Sequence, residues 1–517
     1  MTMLIGALLD RALAWRPDTL AATLDEQAVT FRQLDRRVQR STAALQALGV
    51  RPGDRVAWLA DPSLRALDVF LACARAGAVF VPLNPRLSAA EVGATLDHVA
   101  PSHFVVDKAH RDLLEGVPLG VEVRSVLIDA STGPAGSAGS TGPRSATGSP
   151  FDAAAGDAEP HPRPDPSPDD PHIAYLTSGS TGRPKAALVS HRASWLRSAP
   201  GGGTFSGGLR GSGGVVCTFP LYHYGGWQYV MEAWQNLTAI HLVTRADAAH
   251  IVRTVERRGA SALYCIPAVW ERLLEPEHDR ADLASLRHAD TGTSLVVGDL
   301  VARIKRRLPG TTTSILYGST EAGRMAALHD HDLKRKAGSV GLPAFPGTLW
   351  VDDDEEIRVR TPALMSGYLH DPEATAAAVV DGAYRSGDRG RLDEDGYLHI
   401  TGRLGEMIRT GGEYVAPAEV EQALLTHPHV ADVAVVGIPD PQWGEIVCAV
   451  VVPSPVATPT LASLRSHLDG AVAGFKHPRR VVVVPTIPRT TATGQVQRKR
   501  IRQQLLASVP DQSRLLA

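Results

Sequence analysis

One stretch reads Tyr175-Leu176-Thr177-Ser178-Gly179-Ser180-Thr181-Gly182-Arg183-Pro184-Lys185. It holds four Ser/Thr hydroxyls, two glycines, an arginine and a lysine behind an apolar pair. Such a loop suits a polyphosphate. Glycines admit close backbone approach, hydroxyls and N–H groups donate to phosphate oxygens, and the two cations offset charge. No Gly-Lys-Ser/Thr follows at the spacing of a Walker A loop. A Gly/Ser-rich surface loop has a similar composition, so the phosphate reading needs support from elsewhere in the chain.

Further segments supply it. Tyr317-Gly318-Ser319-Thr320-Glu321 follows the apolar strand Ser314-Ile315-Leu316. A glutamate beside a threonine at a strand end can hold Mg²⁺ and a phosphate oxygen, although a salt-bridged or capping glutamate fits the same pair. Tyr384-Arg385-Ser386-Gly387-Asp388 puts a carboxylate in a tight turn. There it could accept from both ribose hydroxyls, or close an Asx-turn. Residues 391–403 read as a hairpin turning at Asp395-Gly396. Gly411-Gly412-Glu413-Tyr414-Val415-Ala416-Pro417 joins a flexible glycine pair to a helix that starts near Pro417. Pro488-Arg489-Thr490-Thr491-Ala492-Thr493-Gly494-Gln495 is a second hydroxyl- and glycine-rich loop.

Loops of this kind are positioned by strand ends and helix starts. Thr30-Phe31-Arg32-Gln33 is a capping box, with Thr30 at N-cap and Gln33 at N3. Leu34, Val38, Leu45 and Leu48 then share a helical face, and Gly49 can end the helix. Strands at 54–60 and 78–83 flank a helix at 63–75. That alternation predicts an α/β fold with a largely parallel sheet. A last unit from about residue 403 shows strands at 430–437, 446–452 and 481–484 and a helix at 461–468. Its roughly 110 residues match a small α+β domain. Segment 131–170 is dominated by Gly, Ser, Pro, Ala and Asp, with Phe151 its only aromatic. It cannot bury enough apolar surface to offset its ordering entropy, so disorder is predicted. The glycine-dense 201–214 is predicted to be a mobile loop.

A chain of 517 residues is too long for one ordinary core. Its 44% hydrophobic and 21% charged composition is globular. A net charge of −2 gives no reason to expect nucleic acid or an acidic membrane surface as partner. Cys73, Cys217, Cys265 and Cys448 form no CxxC pair, which fits a reducing cytoplasm and neither a disulfide framework nor a zinc site. The first ten residues lack a basic n-region and read as a helix start, not a signal peptide. No transmembrane helix is predicted.

In this order, the segments resemble the adenylate-forming superfamily: acyl-CoA synthetases, aryl-CoA ligases, luciferases and peptide-synthetase adenylation domains. The resemblance runs from Thr30-Phe31 to Gln495. Pro220-Leu221-Tyr222-His223-Tyr224-Gly225-Gly226 and Pro362-Ala363-Leu364-Met365-Ser366-Gly367-Tyr368 fit the bacterial fatty- and aryl-acid CoA ligases. It implies a large N-terminal α/β domain with stacked mixed sheets (1–403, carrying the 131–170 insert) and a small mobile α+β C-terminal domain (404–517). The small domain rotates between two half-reactions. First a carboxylate attacks the ATP α-phosphate, giving acyl-AMP and pyrophosphate. Then a thiol, of CoA or a carrier protein, takes the acyl group. ATP and Mg²⁺ are the implied cofactors.

Carried over by resemblance, Thr177, Ser178, Gly179, Ser180, Thr181, Gly182 and Lys185 surround the β- and γ-phosphates. Thr320 meets the α-phosphate, Glu321 binds Mg²⁺, Asp388 the ribose, and Arg403 ribose or phosphate near the domain junction. Thr291, Gly292, Tyr317 and Gly318 flank adenine and the acyl pocket. His223 stands as a gate near the acyl site, with a hydrogen-bonded structural histidine as the alternative. Gly412 and Glu413 line the thiol tunnel. Tyr222, Tyr224, Trp227 and Met325 suggest an aromatic or medium-sized apolar acid, though aromatic side chains also fill cores.

Three departures from the family stand out. Where the C-terminal loop of relatives ends in Gly-Lys, this chain has Gly494-Gln495. Glutamine keeps reach and a donor but loses the charge that bridges substrate carboxylate and phosphates. Arg498 or Lys499 could replace it. The hinge position, usually Asp or Lys, is Gly405, which permits rotation without side-chain control. The segment Asp290-Thr-Gly-Thr, read as a turn, replaces the usual small-Gly-Gly-Ala, bringing polar groups to the adenine or acyl pocket. These departures open two alternatives to acid activation: nitrite activated with ATP for diazotisation of an aromatic amine, or a nucleotide-binding protein with impaired adenylation.

Overall fold

The computed structural model describes residues 3–113, 125–129, 159–161, 165–177, 185–199, 209, 212–294, 296, 299–410, 413–440, 443–469, 471–490 and 494–507. Most of the 131–170 insert and of the 201–214 loop therefore lies outside the described residues.

The capping box works as read. Thr30 Oγ1 accepts from Gln33 N at 3.2 Å, and Gln33 Oε1 accepts from Thr30 N at 2.9 Å. The helix Phe31–Ala47 starts there, buries Leu34, Val38 and Leu45, and is followed by Gly49 at φ 78°. The predicted strand–helix–strand unit appears as Arg55–Leu59, Leu64–Ala76 and Val79–Pro82. All four strand residues of Val79–Pro82 are buried, as a parallel strand covered on both faces requires.

Two large mixed sheets carry most of the chain. One runs, in spatial order, Leu342–Pro343, Gly323–Leu328, Ile315–Ser319, His288–Gly292, Ala262–Tyr264, Val215–Cys217, Ile240–Leu242, Leu20–Leu24 and Gln27–Thr30. Its central pairs are parallel and its edges antiparallel. The other runs Gly367–Tyr368, Lys185–Ser190, Pro171–Thr177, Val79–Pro82, Arg55–Leu59, His103–Asp107 and Ser125–Asp129. Helices Phe31–Ala47, Leu64–Ala76 and Tyr224–Gln235 share one buried core with residues of both sheets and so lie between them. At its centre Phe70 stacks on Trp227 at 4.1 Å and Phe80 meets both edge-on. Helices Ala248–Arg258, Pro267–Leu273 and Leu300–Arg307 cover the far face of the first sheet, and Ala89–Val99 that of the second.

A third sheet holds Thr348–Val351, Glu356–Arg360, Ala383–Leu392, Val379–Val380 and Leu398–Arg403. A fourth holds Glu413–Val415, Ile408–Thr410, Gly444–Pro453, Val430–Asp440 and Arg480–Val483. Its two faces have their own apolar clusters, built with helices Pro417–Leu424, Leu461–Leu468 and Arg498–Ala507. This is the small α+β unit.

Three motifs sit differently from their reading. Tyr317, Gly318 and Ser319 lie inside the strand Ile315–Ser319, not beyond it. Gly387 and Asp388 lie within the long strand Ala383–Leu392, with Gly387 at φ 70°. Asp290, Thr291 and Gly292 belong to the strand His288–Gly292. Residues 317–319 pair with residues 323–326, Asp388 with Arg403, and Thr291 and Gly292 with Ile315 and Leu316, so strand pairing overrides the local turn chemistry. No helix among the described residues is long and apolar enough to cross a membrane. The four cysteines are free and buried.

Candidate active site

The strand Ile315–Ser319 ends at the centre of the site. The Thr320-Glu321 turn follows it directly, and Met365 N donates to Glu321 O at 2.7 Å. Glu321 is buried, and its Oε1 accepts from the Tyr368 hydroxyl at 2.7 Å. Burial, then the Glu321 carboxylate, pushes the Tyr368 phenol well above its ordinary range, so it stays a donor. Lys185 Nζ lies 4.8 Å from the centre of the Tyr368 ring. Lys185 also opens the strand Lys185–Ser190, directly paired with Thr177, whose Oγ1 donates to Lys185 O. Lys185 and Glu321 thus meet at Tyr368, with Thr177 paired beside Lys185. Ser178, Gly179, Ser180, Thr181 and Gly182 lie outside the described residues.

Beside this cluster stands a second. Asp388 is buried and accepts from the Tyr317 hydroxyl at 2.6 Å and from Arg403 Nε at 2.7 Å. Asp388 and Arg403 are register partners across adjacent strands, which fixes the pair. The Tyr317 phenol is raised by burial first and by Asp388 second. Tyr384, also buried and raised by burial, lies in the fields of both Glu321 and Asp388 and so bridges the clusters.

Gly292 and Gly318 have packing reasons to be glycine. A Cβ on Gly292 would sit 2.2 Å from Leu316 O and 2.7 Å from the Tyr264 hydroxyl; one on Gly318 would sit 2.4 Å from Gly323 O. Thr291 is fully buried. Asp290, read as a pocket group, turns into the sheet: its Oδ1 accepts from Ser314 N at 2.6 Å, and burial pushes its carboxyl well above the usual range.

His223 precedes the helix Tyr224–Gln235 and packs on Tyr222 at 4.4 Å. Burial lowers it to about 4, so the ring is neutral. Its Nε2 is buried without a hydrogen-bond partner among the described residues, so the hydrogen-bonded structural alternative loses ground at that atom. Nearby, Phe219, Tyr229 and Tyr264 form an aromatic trio with centroids 5.2–5.9 Å apart. Beneath it, Glu232 and Arg324 approach to 3.7 Å.

The C-terminal loop reaches this trio. Gln495 Nε2 lies 3.4 Å from Thr293 O, and Thr293 Oγ1 is 2.9 Å from the Tyr264 hydroxyl. Thr490 and Arg489 hold the loop from behind, through Gln495 N and Gly494 O. Arg498 is not a replacement for the missing lysine, because it bridges Glu406 at 2.7 Å and Glu421 at 2.5 Å within the small unit. Between these units Gly405 occupies an exposed turn. Leu404 N donates to Gly387 O on one side, and Glu406 is tied to Arg498 on the other. Gly412 lies outside the described residues; Glu413 pairs with Thr410 at a sheet edge.

Sequence reading missed Arg197. Its guanidinium is buried and donates to Thr320 O, Glu321 O and Ala363 O. Partners that are main-chain carbonyls more than a hundred residues away leave no motif to find. Tyr368 stood in a quoted motif without a role; its Glu321 contact gives it one.

A carboxylate and lysine at a strand-end turn, a second carboxylate flanked by tyrosine and arginine, and a small unit whose loop reaches across define the class: an ATP-dependent, AMP-forming ligase. The model for the AMP-binding enzyme family matches residues 9–369, and that for the AMP-binding enzyme C-terminal domain matches 419–494. The chain belongs to this family of adenylate-forming acyl- and aryl-CoA ligases. It is 34% identical to an indoleacetate–CoA ligase of Aromatoleum aromaticum, over 97% of this chain and 98% of that one. Among solved structures, it resembles the amide bond synthetase McbA from Marinactinospora thermotolerans (29% identity, 97% and 99% of the chains, TM-score 0.82). It also resembles ATP-bound MatB from Rhodopseudomonas palustris (28%, 98% and 99%, TM-score 0.85). None of these names supports nitrite activation or a merely nucleotide-binding protein.

Proposed function

We propose that this ligase activates a small aromatic carboxylic acid as acyl-AMP and passes it to the thiol of CoA. The carrying observation is the linked set Gln495–Thr293–Tyr264. It joins Gln495 of the small unit to the aromatic trio, and a flat ring matches such a surface. The likeness to an indoleacetate–CoA ligase supports both the aromatic acid and the thiol acceptor.

In the first half-reaction the acid's oxygen forms a bond to the α-phosphorus and pyrophosphate leaves. Lys185 and Thr177 hold the outer phosphates and Thr320 the α-phosphate. Asp388 keeps accepting capacity beyond Tyr317 and Arg403, because a carboxylate has about four acceptor sites. It takes the ribose hydroxyls. The same capacity fits Glu321 for Mg²⁺: Tyr368 occupies part of one oxygen and leaves room for a hard cation. When bound, Mg²⁺ neutralises phosphate charge. Holding acid and ATP in line supplies the proximity contribution. Gln495 donates a neutral hydrogen bond where relatives place a cation. In the second half-reaction the thiol sulfur attacks the acyl carbonyl and AMP leaves. The chain divides for this purpose at 403/404, and Gly405 provides the rotation between the two steps.

The test is AMP release from ATP and Mg²⁺ across aromatic and aliphatic acids, with and without CoA, plus wells with amine acceptors and with nitrite and an arylamine. AMP dependent on an aromatic acid and stimulated by CoA supports the reading. Release only with aliphatic acids, or only with nitrite and an arylamine, overturns it. Release stimulated by amines and not by CoA moves the acceptor to nitrogen, as the likeness to an amide bond synthetase allows.

A further inference from the structure

We propose that Arg197 is the positioning residue for the Thr320-Glu321 turn, an inference that rests on reading that turn as the phosphate and Mg²⁺ site. Arg197 sits in the last turn of the helix His191–Ser198 and bonds the main chain of the Thr320-Glu321 turn, whereas Tyr368 bonds the Glu321 side chain. Nη1 donates to Thr320 O at 3.0 Å, Nη2 to Glu321 O at 2.8 Å and Nε to Ala363 O at 2.8 Å. One planar fork therefore ties the turn to the segment that supplies Met365 N and the Tyr368 hydroxyl to Glu321.

The arginine is itself fixed. Its carbonyl accepts from Gln228 Nε2 at 2.8 Å, Gln228 Oε1 accepts from the Tyr224 hydroxyl at 3.0 Å, and the guanidinium lies 5.2 Å from the Tyr224 ring centre. Gly323 leaves the space for it. A Cβ there would lie 3.0 Å from three Arg197 side-chain atoms. Among the described residues no carboxylate forms an ion pair with Arg197; three main-chain carbonyls and the Tyr224 ring hold the buried cation. That is a costly arrangement for mere packing. It places positive charge directly behind the turn that faces the triphosphate. Lysine cannot replace it, because one ammonium cannot reach three divergent carbonyls from a fixed plane.

The experiment compares Arg197→Lys and Arg197→Ala with Glu321→Gln and the unaltered enzyme, using the best acid of the panel. The readouts are kcat, KM for acid and for ATP, the Mg²⁺ concentration for half-maximal rate, thermal midpoint, and rescue by added guanidinium. For both Arg197 variants kcat is expected to fall about hundredfold, the scale of a misplaced catalytic group. The Mg²⁺ requirement rises, KM for the acid stays within about threefold, and guanidinium restores part of the Arg197→Ala rate. An unchanged kcat and Mg²⁺ requirement overturns the proposal. So does a loss that follows thermal midpoint alone, without guanidinium rescue. If Arg197→Ala fails to fold, Arg197→Lys carries the decision through the Mg²⁺ requirement. Glu321→Gln separates the two readings: its activity should collapse, and if it does not, the site reading falls and this inference with it.

Discussion

In the function proposed above, the nucleotide side and the acid side of the site are built on different terms. On the nucleotide side Asp388 is buried, held by Tyr317 at 2.6 Å and Arg403 at 2.7 Å, and pinned by strand register. On the acid side Gln495 is a neutral residue on a loop, touching Thr293 O at 3.4 Å. A buried carboxylate held by charge-assisted bonding to its register partner resists displacement. A long neutral contact from a separate unit does not. In the proposed reading, the nucleotide meets a surface held by strand register, and the acid meets one that the small unit completes. Changes on the first side should abolish chemistry, and changes on the second should retune it.

The largest effect tests the first half of that contrast. Glu321→Ala should lower AMP formation by about a thousandfold or more, from lost charge stabilisation at the phosphates. Retained turnover, followed by AMP release at saturating Mg²⁺, would show that the nucleotide side is not where the chemistry is held. Asp388→Ala comes next. It removes the partner of Tyr317 and Arg403, and KM for ATP should rise roughly 10- to 100-fold while KM for the acid stays nearly constant. Equal shifts in both constants would erase the distinction between the two sides.

Gln495→Lys probes the retunable side. Restoring a cation near the acid carboxylate should raise acid-dependent AMP formation, by up to about tenfold. The thioester step, started from preformed acyl-AMP, should not change. A loss of adenylation would mean the loop has been rebuilt around a neutral donor. The smallest effect is on pH. Burial lowers His223 to about 4 from its ordinary 6.5, and His191 and His241 likewise to about 4. The unfolded chain then binds protons that the folded chain refuses between pH 6.5 and 4. Their contribution to stability is complete above 6.5 and is lost as pH falls towards 4. Thermal midpoints should drop from pH 7 to pH 5, and His223→Asn should make that drop shallower. A rate profile governed by His223 near pH 6.5 would contradict a neutral, buried ring.

Legibility followed the range of each interaction. The Thr30–Gln33 box, the helix Leu461–Leu468 and the helix start at Pro417 were readable because their hydrogen bonds close within a few residues. Lys185, Glu321 and Asp388 were readable because short motifs carry them, and all three reach the polar clusters described above. Asp290 misled because polarity says nothing about direction: its carboxyl serves Ser314 N in the sheet. Arg498 misled for the same reason, since Glu406 and Glu421 claim it from separate segments.

Alternating strands and helices, hydroxyl–glycine loops and their order along the chain determined by themselves the α/β class, the separate C-terminal unit and a candidate phosphate loop, and the resemblance of those segments to a known superfamily implied the adenylate-forming chemistry. Such features are local, and each segment encodes its own. Only the tertiary structure decided that Tyr368 orients Glu321, that Tyr317 and Arg403 divide Asp388 between them, and that Gln495 meets the aromatic trio through Thr293. It alone brought Arg197 behind the Thr320-Glu321 turn. Those contacts join residues far apart in the chain, and their geometry exists only once the sheets have paired and the helices between them have packed.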